Sequence, residues 1–220
     1  MVDEMKTKKQ TWYDMAWSKG MKLSRNVKDY RCYINMLGIV DKSKYLLDIG
    51  CGDGKFLSYN PCHCTGIDIS KIAVELARNN AFLAEIINTG IENFKYDIKF
   101  DYITALGSIE HSDNISLALQ SMINLGHCRT KYLVVVPNKD FVGWRLRKIG
   151  TAQVEIGEKM YSLKEWKMLL EAEGFRIDKI RYDRGRSWMK LLMWAIPLRY
   201  TYQFVFLMSA TTKPGDYDYD

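Results

Sequence analysis

Two aspartates and the glycine-rich turn between them, Asp48, Gly50-Cys51-Gly52-Asp53-Gly54 and Asp68, carry the densest chemistry in this 220-residue chain. The apolar run Tyr45-Leu46-Leu47 leads into Asp48, three glycines follow at alternate positions, and Phe56-Leu57 open a helix. Glycine accepts positive φ and has no Cβ, so a ligand can lie almost on the backbone there. Asp68 ends a second strand-like run, Thr65-Gly66-Ile67-Asp68-Ile69. A glycine-rich strand-to-helix turn with a carboxylate about twenty residues on is the layout of a nucleoside-binding βαβ unit. Dinucleotide sites use G-x-G-x-x-G and set a pyrophosphate against the helix N-terminus. Here the spacing is G-x-G-x-G, and Asp48 would repel a pyrophosphate but could face a cationic amino-acid ligand. A plain glycine-rich turn is the bland alternative, and the register of Asp48 with Asp68 argues against it.

The elements that must hold these residues are legible from local signals. Tyr30, Tyr33 with Ile34, and Leu37 share one helical face, at the end of an aromatic- and Met-rich segment (10–38) that could cap the turn. Ser70 is an N-cap for a helix over Lys71–Asn80. Ala84–Asn88 reads as a third strand, Tyr96–Phe100 as a loop, and Phe100–Leu106 as a fourth strand. Ser112, Asp113 and Asn114 offer N-caps for Ile115–Leu125, with a stop near Gly126. Lys131–Val136 is continuous and β-branched, as a strand buried on both faces should be. Ser162 and Glu165 make a capping box, with Tyr161 and Trp166 as a hydrophobic staple, and Gly174 ends that helix. Phe175–Tyr182 and Tyr202–Met208 are two final strands, close enough in sequence to favour antiparallel pairing.

Composition bounds the function classes. Length fits one α/β domain with a substantial core. The first ten residues lack the apolar run of a secretory leader, and the apolar stretch Trp188–Ala210 is broken by Lys190, Pro197 and Arg199. The expectation is a cytoplasmic protein. Five cysteines form no disulfide framework, and Cys62-His63-Cys64 lacks zinc-site spacing, so no metal site is expected. Thirty-two Lys and Arg against 26 Asp and Glu give a net charge of +6, a modest excess that suits a solvated surface. A nucleic-acid binder would more often show a denser basic stripe with stacking aromatics.

With Asp48 before it and Asp68 after it, the turn resembles motif I, (D/E)-x-G-x-G-x-G, of the class I S-adenosylmethionine-dependent methyltransferases. The resemblance extends over about residues 40–210 and is closest to the small-molecule branch of ubiquinone and menaquinone methyltransferases. Gly66–Ser70, Phe100–Ile103, Ile109-Glu110-His111 and the segment Tyr161–Phe175 also match. It implies an α/β, Rossmann-like, seven-stranded, mostly parallel sheet with helices on both faces and a reversed last strand. A helical cap would occupy 1–40, the methyltransferase domain 41–212, and a disordered acidic tail 213–220.

The resemblance also implies roles. Gly50, Cys51, Gly52 and Gly54 would line the methionine moiety of S-adenosylmethionine, and Asp48 would bind its amino group. Asp68 would take both ribose hydroxyls, Ile69 would pack on adenine, and Leu106 and Gly107 would lie beside the sulfonium. Many relatives carry Gly-Asp after strand three, the Asp bonding the adenine amino group. This chain has Thr89-Gly90-Ile91-Glu92, so Ile91 through its backbone, or Glu92, would read adenine instead. His111, with Glu110 beside it, is the candidate base where the acceptor pocket opens; a loop histidine bonded to backbone is the alternative. His63 and His127, at element ends, read as structural. Segments 138–160 and 183–200 pair Phe141, Trp144, Met160 and Trp188 with arginines and lysines, which suits a hydrophobic or lipid-like acceptor, one met at a membrane surface included. Two alternatives stay open. One is an RNA methyltransferase, although Ala105-Leu106-Gly107-Ser108 lacks the (D/N/S)-P-P-(Y/F/W) of amino-directed nucleobase enzymes. The other is a non-catalytic relative that binds a partner. Oligomeric state is not legible.

Overall fold

The computed structural model describes residues 2–21, 25–141, 157–183 and 197–211. The sequence-expected acidic tail and most of the two apolar, cationic segments lie outside them. The described chain opens with helices α1 (Val2–Ser18) and α2 (Val27–Leu37). Asn26 caps α2, which buries the expected face of Tyr30, Tyr33 and Leu37. Strand β1 (Tyr45–Ile49) then enters the glycine turn. The helix after the turn, α3, is a single turn (Lys55–Ser58). Pro61 removes a donor and biases Asn60 away from helical geometry, so the chain straightens into β2 (His63–Asp68).

The next elements follow their caps. Helix α4 spans Lys71–Asn80, with Ser70 Oγ accepting from the Ala73 amide. Strand β3 is Glu85–Asn88, and β4 is Phe100–Leu106. Asn114, of the three candidates, caps α5 (Ile115–Leu125). Strand β5 runs Gly126–Pro137, starting five residues before the apolar run that marks it in the sequence. Helix α6 (Leu163–Ala172) carries the complete capping box of Ser162 and Glu165. Its staple packs Tyr161 edge-on against Trp166, ring centroids 4.9 Å apart. Strands β6 (Phe175–Asp183) and β7 (Gln203–Ala210) finish the described chain.

Among the described residues, seven strands form one sheet in the order β3-β2-β1-β4-β5-β7-β6. The first five are parallel, and β7 runs antiparallel to both β5 and β6. Alternation along β1 splits the core between two faces. Leu47 and Ile49 join α5 and α6 on one side, and Leu46 joins α2 and α4 on the other. This is the Rossmann-like arrangement expected, with helices on both faces. A strand order that reverses after β1 leaves a crevice at the carboxyl ends of β1 and β4, where open α/β sheets bind ligands.

Candidate active site

A cavity of about 370 Å³ occupies that crevice. Its floor is the turn after β1. Gly50, Gly52 and Gly54 all have positive φ, which bends the backbone sharply, and the Gly50 and Cys51 amides donate to the Ile67 carbonyl while the Gly52 amide donates to Asp68. Close approach adds a second demand: a Cβ on Gly50 would stand 2.4 Å from Ser108 Cβ. Gly50, Cys51 and Gly52 line the cavity, but Gly54 does not. Its missing side chain faces Ala77 of α4, whose Cα would be 2.8 Å from a Cβ there. The third glycine thus seats a helix against the turn.

The two aspartates are held by different means. Asp48, in register with Thr104 of β4, accepts a hydrogen bond from Thr104 Oγ1 at 2.6 Å. Burial pushes its carboxyl up to about 7, with the Thr104 bond opposing. Asp68 accepts from the Gly52 amide at 2.9 Å and the Ser70 amide at 2.8 Å. Burial raises it to about 6 against those bonds. Asp68 therefore ties the glycine turn to the start of α4 while lining the cavity.

At the far end past Asp68, Ile69, Gly90, Ile91 and Glu92 line the wall together. A Cβ on Gly90 would lie 3.1 Å from Glu92 Oε2 and 3.5 Å from the Ile69 methyl. The Glu92 carboxylate thus stands where a residue-90 side chain would begin. Asn88, which the sequence did not single out, donates to the carbonyls of Asp68 and Ile69 at 2.9 and 3.0 Å.

The opposite end lies past β4. Leu106, Gly107, Ser108 and His111 line it. His111 meets Tyr13 of α1 edge-on at 5.9 Å. Glu110 is not on the cavity wall; it lies behind His111, 2 % exposed, and burial raises its carboxyl to about 8. Its Oε1 is 3.9 Å from His111 Nε2. Glu158 joins this pair from the segment before α6, its ligand-type oxygen within 4.8 Å of theirs. Burial raises Glu158 to about 7.

Several wall residues come from α1 and the link after it, where the sequence offers only an aromatic-rich segment. Trp17 stands over Gly52, and Asp14 accepts from Ser70 Oγ at 2.5 Å. Lys9 pairs with Asp113 and donates to the His111 carbonyl at 2.7 Å. Arg25 crosses to β7, donating to Gln203 Oε1 at 2.6 Å and reaching the Leu106 carbonyl. Five carboxylates (Asp48, Asp53, Asp68, Glu92, Asp113) against Lys9 and Arg25 give the lining an anionic balance. Such a wall suits a cationic ligand.

The remaining histidines and cysteines stay apart from this site. His63 stacks on Tyr45, centroids 5.1 Å apart, and His127 lies 3.4 Å from Asp101. Cys62 and Cys64 are buried with sulfurs 3.9 Å apart, while alternation turns His63 to solvent.

Comparison with known proteins places this chain in a class. A family model described as a methyltransferase domain matches residues 25–188, so the chain belongs to that family, within the class I S-adenosylmethionine-dependent methyltransferases. A curated relative, the (S)-tetrahydroprotoberberine N-methyltransferase of Eschscholzia californica, is 31 % identical over 87 residues. That match covers 35 % of this chain and 25 % of the relative, so this chain spans a fraction of its length. Among solved structures, the putative methyltransferase complexed with the Trm112 activator of Haloferax volcanii superposes with a TM-score of 0.69. It is 11 % identical, and 91 % of this chain and 98 % of that one align. The plantazolicin methyltransferase BpumL, in complex with a triazolic desmethylPZN analog and SAH, gives 0.62 at 18 % identity, covering 96 % and 98 %. At such identities the likeness is one of fold. No helix among the described residues is long and apolar enough to cross a membrane.

Proposed function

We propose that this chain transfers the methyl group of S-adenosylmethionine to a small, hydrophobic acceptor. One observation carries the reading: Asp48, the glycine turn and Asp68 line a single anionic cavity that continues past Leu106 to His111. In this reading the Cβ-free surfaces of Gly50 and Gly52 let the methionine end lie against the turn, and Asp48, set by Thr104, receives the ammonium. Asp68 has two amide donors already and oxygen lone pairs left for the ribose hydroxyls. Glu92, over Gly90, supplies the adenine-facing carboxylate that relatives place two residues earlier.

Methyl transfer from a sulfonium is an in-line displacement with its leaving group already in place. The acceptor's lone pair forms the new bond to the methyl carbon as the carbon–sulfur bond breaks. The protein's main contribution is alignment and exclusion of water, and orientation can be worth about 7–11 kcal/mol. A base is needed only for a protonated acceptor, and His111 is the group at that end of the cavity. The methyltransferase relative named above acts, by its name, on a small molecule, which supports a small acceptor over RNA. Tyr13 and Leu106 give that end apolar surface.

Calorimetry with S-adenosylmethionine tests the reading. Binding is expected, and Asp68→Ala should weaken it by roughly 2–3 kcal/mol through lost charge-assisted hydrogen bonds. No heat at millimolar ligand would remove the cofactor assignment; unchanged affinity in the variant would remove the ribose assignment. An RNA band shift at physiological salt would favour the nucleic-acid alternative instead.

A further inference from the structure

We propose that Glu110, His111 and Glu158 bind a divalent first-row transition cation, with Mn²⁺ as representative, at the acceptor end of the cavity. Each offers a ligand atom, and the three atoms lie within 4.8 Å of one another. Ligands held at about 2.1 Å by one ion stand roughly 3.0–3.5 Å apart, so the 3.9 Å between Glu110 Oε1 and His111 Nε2 has little to close.

The second observation is the state of Glu110. Its side chain is 3 % exposed, and Oε2 has no hydrogen-bond partner among the described residues. A buried carboxylate oxygen left without a hydrogen-bond partner is costly. None of the nearby cations hydrogen-bonds Oε2. Arg25 faces Glu110 across Gly107 but makes its hydrogen bonds to Gln203 and the Leu106 carbonyl, Lys9 pairs with Asp113, and Lys159 donates to the Asp113 carbonyl at 2.7 Å. A divalent ion would compensate two carboxylates at once.

The cluster is also built rather than incidental. Glu110 and His111 sit on a 3₁₀ turn (Ile109–His111) directly after β4. The Lys159 amide donates to the Glu110 carbonyl at 3.0 Å, which pins Glu158 beside them. Two carboxylates and one imidazole mix hard oxygen with borderline nitrogen, a set suited to Mn²⁺, Fe²⁺ or Zn²⁺ more than to Mg²⁺. Three protein ligands leave positions open, and His111 is on the cavity wall. An oxygen of the acceptor, or water, would fill them. The imidazole would then serve as a ligand, and the cation, by lowering the pKa of a bound hydroxyl, would take over the part assigned to a base.

Mn²⁺ titration of the full chain, followed by loss of the free-ion electron paramagnetic resonance signal, tests this. One ion per chain is expected, with binding weakened by about tenfold or more in Glu110→Gln and in Glu158→Gln. Both variants should keep the wild-type S-adenosylmethionine heat. Wild-type chain that takes up no Mn²⁺, or variants that bind it unchanged, would overturn the site. If Glu110→Gln fails to fold, the less buried Glu158→Gln decides. Mn²⁺ uptake without cofactor heat would sink the proposed function and leave the cation site standing.

Discussion

A methyl group on residue 50 would meet the side chain of Ser108 at 2.4 Å, and φ there is +70°. Gly50→Ala should therefore suffer twice, by about 1–2 kcal/mol for a left-handed L-residue and about 1–3 kcal/mol for the overlap. Urea unfolding at equilibrium measures the loss; a variant as stable as wild type would mean the turn and the β4 loop are not this close. The glycines and both aspartates were readable from the sequence because a turn and its neighbours are local. Thr104, Arg25 and Glu158 were not. Thr104 matters through cross-strand register with Asp48, Arg25 through a reach to Gln203, and Glu158 through its neighbour Lys159, whose amide bonds the turn after β4. Each depends on how distant segments pack, and nothing in its own neighbourhood signals it.

At the scale of elements, caps explain where sequence and structure agree. Ser70, Asn114 and Ser162 each accept the amide bond that starts a helix, and those helices begin at the residues expected. Strand β5 departs because its first residues, Gly126–Thr130, have no apolar pattern; Thr130 instead bonds the Phe100 carbonyl across the sheet. Helix α1 is the element with most bearing on ligand exchange. It is fixed to the start of α4 by Asp14, to the glycine turn by Trp17 and to the β4 loop by Lys9. Trp17→Ala should speed S-adenosylmethionine dissociation by roughly tenfold, from about 1–2 kcal/mol of lost apolar contact, with the unfolding midpoint little changed. Stopped-flow displacement reads the rate; an unchanged rate would show that α1 does not retain the ligand.

For the molecule as a whole, the site imposes a pH dependence on folding. Burial holds Asp68 near 6, Asp48 and Glu158 near 7, and Glu110 near 8. All lie above their unfolded values of about 4, so the folded chain keeps protons that the unfolded chain releases. The stability they lend is complete below about pH 4 and is lost as pH rises toward 8. Glu165, lowered to about 2 by Lys139 and the Ser162 amide, acts oppositely, but its contribution is already complete above about pH 5. The ligand-free chain should therefore melt at a lower temperature at pH 8 than at pH 5.5, and a bound cationic ligand should flatten that slope. Calorimetric melts across this range would expose the reverse trend if the carboxyls are not buried together.

The position of β7 has a consequence for how the polypeptide is made. The strand lies between β5 and β6, and among the described residues the only sheet partner of β6 is β7. While the chain leaves the ribosome, β5 and β6 each present an unpaired edge until Gln203–Ala210 emerges. β5 offers Leu133 to Val136 along that edge, a sequence well suited to pairing with a second nascent chain. The sheet closes with a strand inserted into a waiting gap, and the β5 edge stays open to aggregation until Gln203–Ala210 covers it.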